Sequence, residues 1–213
     1  MLEPRPSGAL WWPEERLLCV ADLHLGKAER VARRTGSLLP PYDTQETLAR
    51  LEGEIRALHP RCVICLGDSF DDMTSASTLS ETDRARLDHL VSVCEWIWIS
   101  GNHDPNPVDL GGRAQEEFAH AGLRFRHIAT ELRPDEAEIS GHYHPKAQLC
   151  HLGRRITRPC FLSDRHRLML PAFGCYTGGL DAGDAVFDRL LSAEARAWLT
   201  GPRLRALPRK ALL

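Results

Sequence analysis

Asn102, His103 and Asp104 stand consecutively after Gly101, closing the apolar run Trp96-Ile97-Trp98-Ile99. Four other short signals recur in the same kind of place: Asp22-Leu23-His24, Gly67-Asp68, the lone His127, and Gly141-His142-Tyr143-His144. Carboxylate, imidazole and amide donors without thiolates suit Mn²⁺, Fe or Zn²⁺ better than a structural thiolate zinc site. Asp22 and His24 are two apart, so on an extended chain both side chains leave one side and can hold a cation; His142 and His144 repeat that spacing with nitrogen donors. Together Asp22, His24, Asp68, Asn102, His127, His142 and His144 make seven donors. That is too many for one ion and implies two. Singly, each signal has a plain alternative, since Gly-Asp closes turns and a lone His packs in cores. In series, each falls at the carboxyl end of a predicted strand, where open α/β sheets place their ligands.

The elements that must position these residues follow from hydrophobic period. Leu17 to Ala21, Cys62 to Leu66 and Trp96 to Ile99 are short, apolar and closed by polar residues or Gly, which predicts buried strands. Between them, Leu48, Leu51, Ile55 and Leu58 recur at helical spacing after Pro40-Pro41 and Asp43-Thr44. A second helix opens at Ser80-Glu81-Thr82-Asp83 and presents Leu87, Leu90, Val91 and Cys94. The second half reads as short antiparallel strands, with candidates at Phe125 to Ala129, Ala137 to Ser140, Cys160 to Ser163, Arg167 to Leu170 and Ala185 to Asp188. One domain over residues 1–199 is expected, followed by a Pro- and Arg-rich tail, 200–213, that is loosely attached.

Composition narrows the class. The chain is 43% apolar and 26% charged over 213 residues, ordinary for one globular core. No stretch approaches the roughly 18 apolar residues of a membrane span, and the start lacks a signal peptide's apolar segment, so a cytoplasmic protein with no membrane partner is expected. The 7 cysteines sit in apolar surroundings and read as reduced core thiols. Cys62 and Cys65 are three apart on a strand, so they face opposite ways and make no zinc knuckle. The net charge of −2 decides little, but its distribution is uneven. Lys27, Arg30, Arg33 and Arg34 follow the first motif, and Lys146, Arg154, Arg155, Arg158, Arg165 and Arg167 crowd the segment to Leu170. Such clusters fit a polyanionic partner and equally fit solvated faces.

The motif series Asp22-x-His24, Gly67-Asp68, Gly101-Asn102-His103-Asp104, His127 and Gly141-His142-x-His144 resembles that of the calcineurin-like binuclear metallophosphoesterase superfamily. The resemblance implies an α/β sandwich of two stacked mixed β-sheets flanked by α-helices, with metals at the strand ends. It implies that Asp22, His24, Asp68 and His144 bind one ion and that Asp68, Asn102, His127 and His142 bind the other. It gives catalytic roles to His103, as the acid that protonates the leaving oxygen after a metal-activated hydroxide attacks phosphorus, and to Asp104, as the group that orients His103.

A narrower likeness runs through Asp22-Leu-His-Leu-Gly-Lys27, Leu39-Pro-Pro-Tyr-Asp-Thr44, Leu66-Gly-Asp-Ser-Phe70, Ser140-Gly-His-Tyr-His-Pro145 and Leu170-Pro-Ala-Phe-Gly174 through Gly178-Gly-Leu-Asp181. These stretches are similar to the ligase-associated DNA damage response endonucleases, the PdeM group. That implies a manganese-dependent endonuclease on single-stranded DNA, working in repair beside a DNA ligase, a helicase and an exonuclease. The chain departs from the group at Asp71, where many members carry His, and after His127, which makes His120 the fallback ligand. Lys27, Arg33 and Arg34 are candidate phosphate contacts or a solvated helix face. Tyr176, with Phe173 and the glycines at 174, 178 and 179, offers a ring for an unpaired base or simply a tight turn. A phosphomonoesterase or a small-molecule or cyclic-nucleotide phosphodiesterase is the alternative enzyme. A non-catalytic scaffold predicts lost ligands or a lost His103, and all are present.

Overall fold

The computed structural model describes residues 1–105 and 110–212, and the backbone alone of His151. The three predicted apolar strands are the centre of a first sheet, because continuous apolar runs need cover on both faces. Its spatial order is β1 (Glu3–Pro4), β2 (Leu10–Trp12), β3 (Leu17–Val20), β4 (Cys62–Leu66), β5 (Glu95–Ile99) and β6 (Arg113–Gln115). β1, β2 and β3 run antiparallel, whereas β3 through β6 are parallel. Parallel neighbours need crossovers, and helices supply those from β3 to β4 and from β4 to β5. These are α1 (Lys27–Thr35), α2 (Asp43–Leu58), α3 (Ser75–Thr78) and α4 (Glu81–Ser92).

On one face of this sheet, Leu18, Val20, Val63, Cys65, Trp96 and Trp98 pack with Leu48, Leu51 and Ile55 of α2 and Leu87, Leu90 and Val91 of α4. The other face turns Cys19, Cys62, Ile64, Leu66, Ile97 and Ile99 toward the second sheet. Cys62 and Cys65 therefore lie on opposite sides, as their spacing requires, and both are free thiols. α4 starts where the sequence places it, with Ser80 Oγ accepting from Asp83 N at 3.1 Å. Such a cap contributes about 1 kcal/mol.

The second sheet contains β7 (Glu117–His120), β8 (Leu123–Arg126), β9 (Ala137–Ser140), β10 (Lys146–His151), β11 (Arg154–Ser163), β12 (Arg167–Met169), β13 (Arg196–Leu199) and β14 (Arg205–Pro208). The order is β14-β13-β11-β12-β9-β8-β7, with β10 pairing β11 as a hairpin. Phe125, Ile139 and Phe161 meet the first sheet, and the outer face packs on Phe187 of α5 (Val186–Leu190). The result is a two-sheet α/β sandwich with helices outside.

Three expectations are corrected here. β9 is parallel to both β8 and β12, so the second sheet is mixed, as the family resemblance implied, and not antiparallel as spacing alone suggested; alternation of apolar residues records burial and carries no strand direction. Ala185 to Asp188 is helical, since Asp184 Oδ1 accepts from Val186 N at 2.9 Å and starts a turn that buries Phe187. The stretch from Thr200 is not loosely attached: β14 pairs with β13, and buried Arg209 donates to Ala182 O at 2.9 Å. No helix among the described residues is long and apolar enough to cross a membrane.

Candidate metal centre

The parallel register of β3, β4 and β5 brings their carboxyl ends to one edge of the first sheet. Asp22, Asp68 and Asn102 follow those ends directly, while β8 and β9 of the facing sheet deliver His127 and the pair His142 and His144. The loops are sewn together by Asp22 N to Gly67 O at 3.2 Å and His24 N to Asp68 O at 2.9 Å.

Extended-chain alternation does not aim the ligands. Asp22, His24, Asp68, His142 and His144 all take left-handed backbone angles, with φ of 54°, 46°, 47°, 70° and 45°. Each such residue costs on the order of 1–3 kcal/mol and persists only where its surroundings hold it there. Five together on one edge point to a site. The glycines of the motifs have a matching purpose. A Cβ on Gly101 would lie 2.1 Å from Asp68 N, and one on Gly141 would lie 2.8 Å from Asp22 Oδ2. Neither loop could close on the neighbouring aspartate with a side chain in the way.

Each aspartate is held by one oxygen and presents the other. Asp22 Oδ2 accepts from His142 N at 2.9 Å, leaving Oδ1 3.3 Å from His144 Nε2. Asp68 Oδ1 accepts from His103 N at 2.8 Å, leaving Oδ2 3.9 Å from His24 Nε2 and 3.5 Å from His127 Nε2. Beside a cluster of His24, Asp71 and His103 stand two donor groups, Asp22 with His24 and His144, and Asp68 with His127 and His142. Asp68 Oδ2 faces both. Asn102 joins the second group through Oδ1, 2.9 Å from His127 Nε2.

These atoms fit a pair of divalent cations by their own chemistry. His127 Nδ1 lies 2.8 Å from Leu66 O, a carbonyl that can only accept, so the proton sits on Nδ1 and Nε2 of the neutral ring presents a lone pair. That lone pair faces Asn102 Oδ1, Asp68 Oδ2 and His142 Nδ1, the last at 3.2 Å. A lone pair facing two oxygen acceptors, Asn102 Oδ1 and Asp68 Oδ2, calls for positive charge between them. In the other group, the buried atoms Asp22 Oδ1, His24 Nε2 and His144 Nε2 have no hydrogen-bond partner among the described residues. The cluster's field agrees: burial would lower the His127 pKa, but Asp68 and Asp22 raise it, and Asp68 is held down to about 2 against its own burial by His127. A binuclear divalent-metal site is the arrangement these donors make.

His103 is half-buried beside the pair, and its Nδ1 donates to the Asp71 carbonyl at 2.7 Å. Its partner is therefore not Asp104, which was expected to orient it. Asp104 Oδ2 instead accepts from Ser69 N at 2.8 Å and Phe70 N at 3.1 Å, fixing the turn after Asp68. Burial pushes the Asp104 carboxyl up to about 7.

The residue that sequence reasoning noted only as a departure proves central. Asp71 is fully buried, with Oδ1 2.8 Å from His24 Nδ1 and 3.1 Å from Lys27 Nζ, and Oδ2 3.0 Å from Arg30 NH1. Burial works against its charge, yet His24 and Lys27 hold it well below the usual carboxylate range. The missed signal is the spacing of Lys27 and Arg30, three apart and thus on one face of α1. Lys27 is accordingly committed to Asp71, while Arg33 and Arg34 meet Asp72 at 3.3 and 3.7 Å on the surface. A cleft lined by Arg30, Arg34, Asp72, Asn102 and His103 opens beside the donors. Phe173 is buried beneath Arg50 and offers no face, whereas Tyr176 is exposed on the loop that follows. His120, the fallback ligand, pairs with Glu15 at 2.8 Å, outside both donor groups.

Comparison with known proteins agrees with this geometry. The family pattern described as calcineurin-like phosphoesterase matches residues 15–163. Among solved structures, the crystal structure of the Pseudomonas putida nuclease MPE superposes with a TM-score of 0.77 at 29% identity, over 97% of this chain and 94% of that one. Yfce, a phosphoesterase from E. coli, aligns over 90% of this chain and 98% of that one at 9% identity and a TM-score of 0.43. No curated protein matches the sequence.

Proposed function

Because the chain belongs to the calcineurin-like phosphoesterase family, we propose that it is a metal-dependent phosphodiesterase that cuts single-stranded DNA as an endonuclease. The observation that carries the reading is Asp68 Oδ2, set within 4 Å of imidazole nitrogens from both donor groups. Asp22, His24, Asp68 and His144 would hold one ion, and Asp68, Asn102, His127 and His142 the other. Bound there, two divalent cations, Mn²⁺ by resemblance and donor type, neutralise phosphate oxygens and lower the pKa of a water. The remaining steps fall to the chain. His103 keeps its Nδ1 proton on the Asp71 carbonyl, so an added proton resides on Nε2 and can pass to the leaving oxygen. Asp104 holds the 68–70 turn and with it the shared aspartate. Arg33 and Arg34 are tied to Asp72 only by exposed pairs worth about 0–1 kcal/mol, weak enough for a substrate phosphate to displace.

That the 29%-identical P. putida protein is a nuclease supports a nucleic-acid substrate. Repair work in the cytoplasm, in functional association with a DNA ligase, a helicase and an exonuclease, extends the same reading. The test joins metal analysis to hydrolysis of bis(p-nitrophenyl) phosphate, p-nitrophenyl phosphate and circular single-stranded DNA. About two ions per chain, diester hydrolysis with Mn²⁺ and cutting of the circle are expected. Hydrolysis of monoesters alone would replace the endonuclease with a phosphomonoesterase.

A further inference from the structure

The cations of α1 are matched by Asp71 and Asp72, but another basic group has no such match. Arg50 of α2 and Lys146 at the start of β10 line a cleft where the first sheet's leading loop, α2 and the second sheet meet. No Asp or Glu lines this cleft, and neither cation pairs with a carboxylate among the described residues. Both are nevertheless held in place. The Arg50 guanidinium lies over the Phe173 ring at 4.5 Å and donates to the Phe173 carbonyl, while Lys146 Nζ donates to Thr177 O at 2.8 Å. Burial lowers the Lys146 pKa with no acid to offset it. Tyr176, 43% exposed, forms part of the same wall.

That wall is also the back of the metal centre. Phe173 N donates to Ala21 O at 2.8 Å, Gly174 N to Asp22 O at 3.0 Å and Leu180 N to Tyr143 O at 3.2 Å. The loop from Phe173 to Leu180 thus has the ligand-bearing loops on one side and the acid-free cleft on the other. Beyond Lys146 runs the β10–β11 hairpin, in which none of residues 146–163 is acidic and Arg154, Arg155 and Arg158 are exposed. A polyanion crossing the loop would meet Arg50 and Lys146 and then the hairpin arginines, with the carboxylates of Asp43 and Glu46 acting on Tyr176 from the α2 side.

We propose that this cleft is a nucleotide subsite, in which Arg50 and Lys146 take a backbone phosphate remote from the scissile one and Tyr176 stacks the unpaired base beside it. The subsite rests on that single-strand nuclease reading and deepens it by naming where the strand is held, through a base face that pairing would deny to Tyr176. It separates recognition into a charge contact and a stacking contact, which respond differently to salt.

The test is fluorescence anisotropy of a cleavage-resistant phosphorothioate oligothymidylate, titrated with metal-loaded protein at several salt concentrations. Lys146→Gln is expected to weaken binding about 3–10-fold and to reduce the slope of log Kd against log salt by about 0.7, one phosphate contact on a single strand. Tyr176→Ala is expected to weaken binding at least ~5-fold with the slope unchanged, and to have no effect on an oligomer abasic throughout. Wild-type affinity in either folded variant overturns the subsite, as does a variant whose loss of binding tracks loss of bound metal. Tyr176, being exposed, remains informative if Lys146→Gln does not fold. Hydrolysis of bis(p-nitrophenyl) phosphate by the unaltered protein is read separately, so strand binding without hydrolysis would sink the enzyme reading and leave the subsite standing.

Discussion

The two halves of the metal centre rest on different supports. Behind His24 stands a carboxylate, Asp71, kept ionised under full burial by Lys27 and Arg30. Behind His127 stands a neutral carbonyl, Leu66 O, and the same half contains the amide of Asn102 as a further neutral donor. A carboxylate behind an imidazole raises its basicity more than a carbonyl does. The difference teaches that the pair is asymmetric: the His24 half should hold its ion more tightly, and graded chelation should empty the Asn102 half first.

The severest break comes from removing what the halves share. Asp68→Ala deletes the one oxygen that faces both histidine sets and also frees the His103 backbone N–H. Metal content measured by plasma mass spectrometry should fall from about two ions to below one per chain, with hydrolysis at background. Retained metal-dependent turnover would contradict the shared role and leave two independent sites. Next in size is His103→Ala, which releases the Asp71 backbone carbonyl but leaves the Asp71 carboxylate and the Leu66 carbonyl in place. Both ions should remain while turnover drops roughly 10²–10⁴-fold, more for an alkoxide than for a p-nitrophenolate leaving group. An equal loss on both substrates would show that His103 does not deliver the proton.

Asp71→Asn sharpens the contrast directly by giving the His24 half a neutral support like its neighbour's. Affinity for the more tightly held ion should weaken roughly 10–100-fold, so that the two ions are chelated together rather than in sequence. If stepwise release persists unchanged, the asymmetry has another source. His103 stays held, because its contact is to the Asp71 backbone.

The same division explains what could be read from the sequence. The first sheet was legible because β3, β4 and β5 are covered on both faces, and runs such as Cys62–Leu66 then carry no polar interruption. The donors were legible as types: all seven gather on one edge. Their aim was not, because left-handed angles at Asp22, His24 and Asp68 arise from loops packing on one another rather than from local spacing. Asp71 escaped as a site residue for a related reason. One buried Asp in sequence is a departure from a motif; only the folded chain brings it against His24 from the next loop and against Lys27 and Arg30 from α1. In the second sheet, β9 and α5 depend on partners distant in sequence, and period alone gave neither the direction of the one nor the helicity of the other.

The smallest expected effect concerns the strands beneath the two halves. Cys19 on β3 and Cys65 on β4 lie just before Asp22 and Asp68, and burial pushes both thiols well up; Cys62 and Cys160 are pushed up to about 12. An unfolded thiol ionises near about 8.5. A folded pKa above that value means the unfolded state loses its proton first. Stability is therefore full below pH ~8.5 and declines as pH rises past it, by up to about 1.4 kcal/mol per thiol per pH unit until the folded value is reached. Lys146, lowered by burial, opposes this as a single group. Urea midpoints should fall between pH 7.5 and 9.5, and Cys19→Ala with Cys65→Ala should flatten the decline. If the two strands bear on the halves equally, each substitution flattens it by a similar amount. A midpoint that holds or rises would mean these thiols ionise as readily folded as unfolded, which the packing of Cys19 between the two sheets and of Cys65 between the first sheet and its helices forbids.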